Sequence, residues 1–203
     1  ERPELAPAII NPETAHAFTK SLAVRNKTGK IDARALARYG YERTPAPYDP
    51  PTPQMARLRA LTRYRVCVIG MRVAESNRFS QSSESPEIYK MIKKHIAALE
   101  RTEKKIECQM RELVAEMPEI KRDAEALDGI YGVGPITAIS ILAEIGDLRR
   151  FERGRQLTAF AGLSPRKDES GTSVKKKTRM SKKGSSRIRK ILYMPSMVVI
   201  RGE

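Results

Sequence analysis

The stretch PEIYKMIKKHIAALERTEKKIECQMRELVAEM, residues 86–117, decides the fold class. Ile92, Leu99, Ile106 and Leu113 recur every seven residues, and Tyr89, Ile96, Met110 and Met117 fill the other seam position of a heptad pattern. Only Glu103 falls out of register. Pro86 stands where the first turn of this helix begins. Upstream, Met55, Leu58, Leu61, Val68, Ile69 and Val73 recur at the spacing of one helical face, with no proline from Gln54 to about Arg78. Residues 79–86, FSQSSESP, read as a polar loop between the two helices. Antiparallel helices of similar length would bury the seam internally, and a helical coiled-coil hairpin is expected over 54–120. A hairpin of this kind also helps subunits pair, so a homodimer or homotetramer is expected.

Working outward toward the start, Pro45, Pro47, Pro50, Pro51 and Pro53 mark an extended connector and a domain boundary. Before it, IDARALARYG (31–40) reads as a short helix ended by Gly40. Residues 8–10, Ala-Ile-Ile, read as a strand feeding a helix that begins at Pro12. Such a strand needs sheet neighbours, and the sequence holds few other convincing strands. Those neighbours are expected upstream of Glu1, in a chain that opens without an initiator Met or an apolar signal region.

Toward the other end, the hairpin Gly132-Val133-Gly134 lies between an apolar helix end near Leu127 and a helix over 135–145, with Ala138, Ile141 and Leu142 facing inward. Glycine at both positions permits a tight bend and close approach of a ligand to the backbone, and the following helix N-terminus carries partial positive charge. A phosphate fits there. This is the helix-hairpin-helix pattern of DNA backbone binding, although a plain glycine turn between core helices would use the same residues. RQLTAFAGL (155–163) reads as an amphipathic helix ended by Gly162, followed by a loop through Ser170-Gly171-Thr172-Ser173.

Charge points the same way. The chain of 203 residues carries 39 Lys and Arg against 24 Asp and Glu, a formal net charge of +15, with 40% hydrophobic residues to build a core. Residues 166–190 hold eleven of those cations against Asp168 and Glu169. Lys175, Lys176, Lys177, Arg179, Lys182 and Lys183 could neutralise several phosphates together, while Ile188, Ile191 and Leu192 would bury the face of a final helix. A solvated face would also account for a charge run. A membrane is the competing polyanion, but no apolar run approaches the roughly 20 residues that a span needs. Cys67 and Cys108 form no CxxC or Cys/His cluster, and both read as helix core residues. Ser170, beside glycine in the basic tract, is sterically accessible. A serine can open a phosphodiester through a phosphoserine bond if something activates it and stabilises the phosphorane charge. No general base is evident, since His16 and His95 fall in unrelated helices, His95 at the seam edge.

The stretch GVGPITAISILAEIGDLRRFERGRQLTAFAGLSPRKDESGTSVKKKTRMSKKGSSRIRK (132–190) closely resembles the C-terminal transposase domain of the insertion-sequence 110/1111 family (the 116/110/902 type), related to the Piv and MooV invertases. NKTGKIDARALA (26–37) resembles that family's lysine-threonine-aspartate-x-x-aspartate segment. The resemblance implies a mainly α chain: the C-terminal part of a RuvC-like, ribonuclease-H-type α/β domain over 1–50, the coiled-coil hairpin over 54–120, and a transposase domain with a helix-hairpin-helix over 121–203. It implies DNA as substrate, a structured RNA guide, Mg2+ held by three aspartates and a glutamate, and a serine that becomes covalently attached to DNA. Ser170 is the expected nucleophile and Ser181 the alternative. Gly132, Gly134, Lys175, Lys176, Lys177, Arg179, Lys182, Lys183 and Arg187 are the expected DNA-binding residues.

The departures matter as much. The first aspartate and the glutamate would precede Glu1, and Gly29 stands where the third acid belongs, so Asp32 is the only metal ligand left. Magnesium needs several oxygen ligands, and glycine offers no side-chain oxygen. Asp32 could equally be an ordinary acid at a helix start. The expectation is therefore either a recombinase acting by Mg-assisted serine transesterification, completed by carboxylates from elsewhere, or a catalytically inactive remnant that still binds nucleic acid. A purely structural role for 54–117, with incidental charge, is the third reading. A bacterial, cytoplasmic and nucleoid-associated protein, truncated at its start, is expected.

Overall fold

The computed structural model describes residues 7–23, 28–81, 85–166, 169–170, 174–175 and 177–202, and is mainly α. The chain divides into two compact units, Glu1–Pro50 and Pro51–Glu203.

The first unit is a pair of helices, α1 (Pro12–Ser21) and α2 (Gly29–Arg43). Asn11 caps α1 by accepting from the Glu13 amide at 2.9 Å, and Pro12 supplies the preset φ of a first turn. Thr28 caps α2 in the same way. The helices meet through an edge-on contact of Phe18 with Tyr39, ring centroids 5.2 Å apart, and over buried Ala35. Two expectations fail here. Residues 8–10 form no strand, because nothing among the described residues of the unit offers a sheet edge to pair with. And α2 runs through Gly40 to Arg43, ending at Thr44 with φ +40°, because Gly40 keeps helical geometry while the amide of Thr44 closes on its carbonyl at 3.0 Å.

The second unit is built on an antiparallel pair, α3 (Pro53–Gln81) and α4 (Pro86–Ala115). The heptad seam holds toward the open end, where Leu99, Ile106, Met110 and Leu113 are buried against Leu58 and Val68, whereas Tyr89 near the turn is exposed. Val73, expected on that face, is instead exposed, and so are both cysteines, which lie beside the seam residues rather than on them. Glu103 accepts from Arg65 at 3.2 Å and from Arg72 at 3.1 Å, which explains the break in the heptad. Helix α3 continues three residues beyond Arg78 into the segment expected to be loop, because Phe79 packs on Tyr89 across the turn at 4.2 Å. His95 sits at the seam edge, its Nδ1 3.5 Å from Glu75.

Against the open end of this pair pack α5 (Pro118–Asp128) and α6 (Pro135–Ile145). Helix α6 is the centre of the unit: Ala138, Ile139, Leu142 and Ala143 join the α3–α4 core, while Ile141 and Ile145 enter a second cluster with Ala161 and Ile188. After a 3₁₀ turn at Leu148–Arg150 come α7 (Gly154–Ala161), four two-residue strands among the described residues, and the final helix α8 (Ser186–Arg201). Ile188 is fully buried there, with Ile191 and Leu192 partly so. No helix among the described residues is long and apolar enough to cross a membrane.

Candidate nucleic-acid interface

The turn between α5 and α6 treats its two glycines differently. Gly132 has φ +84°, and a Cβ there would meet the Pro195 carbonyl at 3.0 Å and Val199 at 3.2 Å. Only glycine permits both the left-handed backbone and the approach of α8. Gly134, the residue before Pro135, has φ −84° and ψ 167°, and open space surrounds its Cα. Within α6 the first amide to find a helical partner is Ala138, which donates to Gly134 at 2.9 Å, so the Ile136 and Thr137 amides point out of the helix start. Gly132 therefore shapes the turn against α8, and Gly134 leaves the helix start open to a ligand. Asp128 also lines this opening, so its charge is mixed.

A rigid platform carries the basic tract. Gly162 ends α7 with φ +70° and packs directly on Gly184; a Cβ on Gly184 would collide with the Phe160 carbonyl and the Gly162 backbone. The segment 181–185 is laced to the end of α7 by Ser181 N to Ser164 O (2.9 Å), Lys182 N to Gly162 O (3.0 Å) and Ser185 N to Phe160 O (2.9 Å). Arg189 donates from Nη1 to the carbonyls of Ala161 (2.8 Å) and Gly184 (3.2 Å). Lys182 is held with φ +55°, and its side chain, with those of Lys183 and Arg187, is exposed.

From this platform an antiparallel ribbon projects. Strand β1 (Pro165–Arg166) pairs with β4 (Arg179–Met180), and β2 (Glu169–Ser170) pairs with β3 (Val174–Lys175). The stretch expected as a loop is thus partly paired, with the returning side one residue longer between the two ladders. Ser170 lies at the outer ladder, opposite Val174. Ser181 lies at the base, half-buried, its hydroxyl donating to the Gly162 carbonyl at 3.3 Å. Lys177 and Arg179 are exposed. Only the backbone of Ser170 and Lys175 is described, and Lys176 and the segment 171–173 lie outside the described residues.

In the first unit, Asp32 occupies the first turn of α2, half-buried, its amide donating to Thr28 O at 3.0 Å. Gly29 opens the same helix, and a Cβ there would meet nothing within 4 Å. Among the described residues no three His, Cys, Asp or Glu side chains are grouped to hold a metal. One carboxylate beside a glycine does not fit a divalent ion that wants several oxygen ligands.

Sequence reasoning missed the arginines that build the platform's surroundings. Arg150 stacks over Phe151 and Phe160, 4.7 and 4.6 Å from the ring centroids, and burial together with neighbouring Arg59 lowers its pKa from the ordinary guanidinium value. Arg59 donates to the Ala143 carbonyl near the end of α6 at 2.9 Å. Periodicity offers no signal for such residues, because an arginine that caps a distant carbonyl reads as one more surface charge.

Two family models match. Residues 124–203 match the model of the transposase IS116/IS110/IS902 family, and residues 3–82 match a second transposase model, that of the DEDD transposases of the IS110 group. The chain is 32% identical over 195 residues to the pilin gene-inverting protein of Moraxella bovis, and equally to that of Moraxella lacunata. In each case 96% of this chain is covered but 60% of the relative, so the chain spans about three-fifths of their length. It is also 38% identical over 79 residues, 39% of this chain and 21% of the relative, to the transposase for insertion sequence element IS1111A of Coxiella burnetii. Transposase models of the IS110/IS116/IS902 group thus match both ends of the chain, and the inverting proteins match nearly its whole length.

Proposed function

We propose that this chain binds DNA through the α5–α6 turn and the 165–190 ribbon and platform, as the part of a transposase or site-specific recombinase that holds the substrate for strand cleavage and joining. The observation that carries the reading is the Gly162–Gly184 contact: it fixes Lys182, Lys183 and Arg187 at the foot of a ribbon bearing Ser170. A positioned cluster of cations can set the register of a phosphate backbone, which a flexible basic tail cannot. Gly134 and the open amides of α6 would supply a further backbone contact.

In the recombinase reading, the Ser170 oxygen attacks phosphorus, one P–O bond of the DNA breaks, and the proton lost by the serine hydroxyl passes, through solvent, to the departing strand oxygen. The new P–O bond to serine conserves the phosphodiester energy for rejoining. Lys175, Lys177 and Arg179 on the ribbon would balance the phosphorane charge. Ser181 is the poorer nucleophile, because its hydroxyl already serves the Gly162 carbonyl. Mg2+ would be recruited by Asp32 only with further carboxylates brought beside it, since among the described residues none is grouped with it, and an element-encoded guide RNA would share the basic surface. The second reading is an inactive nucleic-acid binder, favoured by Gly29 and by an Asp32 that stands in no acidic group among the described residues.

Titrating a labelled duplex across a salt series, with Mg2+ present and denaturing gels to detect protein–DNA adducts, separates these readings. Steep salt dependence with an adduct that Ser170→Ala abolishes supports the recombinase; steep dependence with no adduct supports the binder. Absence of salt-sensitive binding would sink both.

A further inference from the structure

A partly enclosed cavity of about 130 Å3 lies where α3, α6 and α8 meet, away from the α5–α6 turn. Its lining includes Thr62 and Arg63 from α3, Glu144 from α6, and Arg187 and Lys190 from α8. Three cations and one carboxylate make the site net positive. Both Glu144 oxygens are occupied by Arg63, which donates from Nε at 2.8 Å and from Nη2 at 3.0 Å. That fork uses one edge of the guanidinium and leaves the Nη1 hydrogens to donate elsewhere. Among the described residues neither Arg187 nor Lys190 has an acidic partner.

Thr62 supplies the independent observation. It is 2% exposed, and its hydroxyl is the single buried side-chain polar atom without a hydrogen-bond partner among the described residues. Other helical hydroxyls in this unit are satisfied one turn back: Thr102 donates to Ala98 at 2.9 Å and Ser140 to Ile136 at 2.6 Å. Thr62 does not do so, and an unsatisfied buried hydroxyl is unfavourable unless a ligand or water completes it. A guanidinium edge and two further cations around one small cavity, with the Thr62 side chain in its wall, offer donors to a tetrahedral oxyanion.

We propose that this cavity binds a phosphate group, with Lys190 and Arg187 neutralising its charge, Arg63 donating from its outer edge and Thr62 completing the donor set. The phosphate is either free or a phosphodiester of bound nucleic acid. The inference shares Arg187 with the proposed DNA contacts but is tested separately from them, because inorganic phosphate alone serves as the probe.

The experiment is thermal melting of the full chain in inorganic phosphate against chloride at matched ionic strength, for the wild type, Thr62→Val and Lys190→Gln. A site filled well above its dissociation constant should raise the wild-type midpoint by roughly 5 °C or more. Loss of at least half of that rise in both variants supports the site, and Thr62→Val should melt in chloride no lower than wild type because it removes an unsatisfied hydroxyl. No wild-type rise, or a rise that either variant keeps by more than half, overturns the proposal. The source is then read from duplex binding: a salt slope reduced by about one in Lys190→Gln assigns a DNA phosphate, and an unchanged slope assigns the free anion. Failure of duplex binding altogether would count against the DNA reading and leave the phosphate result intact.

Discussion

Single residues in the transposase domain divide by what surrounds their Cα. A methyl group on Gly184 would strike the backbone of Phe160 and Gly162, so Gly184→Ala should cost about 1–3 kcal/mol and lower the melting midpoint by several degrees. Gly134→Ala meets open space at φ −84° and should melt like wild type while weakening duplex binding, if backbone approach at the α6 start is used. An unchanged duplex affinity in Gly134→Ala would remove that contact from the interface. Chemistry at Cys108 is likewise local. Its exposed thiol donates to Glu112 at 3.3 Å, and that bond to the neighbouring carboxylate pushes the thiol pKa up. Below the raised pKa the thiolate is scarce, so Glu112→Gln should speed alkylation of Cys108 near pH 8, as followed by peptide mass spectrometry. An unaltered rate would mean that Glu112 does not control the thiol.

Within elements, the informative position is the one that breaks the pattern. Glu103 interrupts the α4 heptad because Arg65 and Arg72 of α3 reach it, and Arg65 also binds Glu107. The network locks the register of the two helices at a level where a leucine would permit sliding. Glu103→Gln keeps the shape and removes the charge, and about 1–2 kcal/mol of stability should go with it, or a few degrees at the midpoint. A midpoint equal to wild type would show that the arginines re-pair without loss. In the sequence Glu103 was visible as an exception, but its partners were not, since they lie on another helix and carry no periodicity. The glycine hairpin was more legible: Pro135–Ile145 forms over the range its proline and inward apolar residues indicate.

For the molecule as a whole, function turns on how the charge is held. A formal +15 predicts a polyanionic partner but not a surface, and the surface proposed for it is the platform of α7, 181–185 and α8. Lys182 is exposed there on a backbone fixed by three interstrand-like bonds, so Lys182→Gln should reduce the log–log salt slope of duplex binding by about one without altering stability. A slope equal to wild type would place DNA elsewhere. Asp32 belongs to a different unit, and adding an acid at Gly29, where a side chain has room, should leave α2 as helical as before by circular dichroism.

The sequence by itself determined the helical class, the α3–α4 hairpin, the α5–α6 turn, the end of α7 at Gly162 and the excess of positive charge, because each rests on local periodicity, glycine and proline chemistry, or summed charge. Tertiary structure alone decided the rest. It left residues 8–10 unpaired, turned Cys67 and Cys108 outward, engaged the Ser181 hydroxyl, packed Gly162 on Gly184, and drew Arg63, Glu144, Arg187 and Lys190 around Thr62. Contacts between residues far apart in sequence depend on which helix faces meet, and nothing periodic in one segment records the side chains of another.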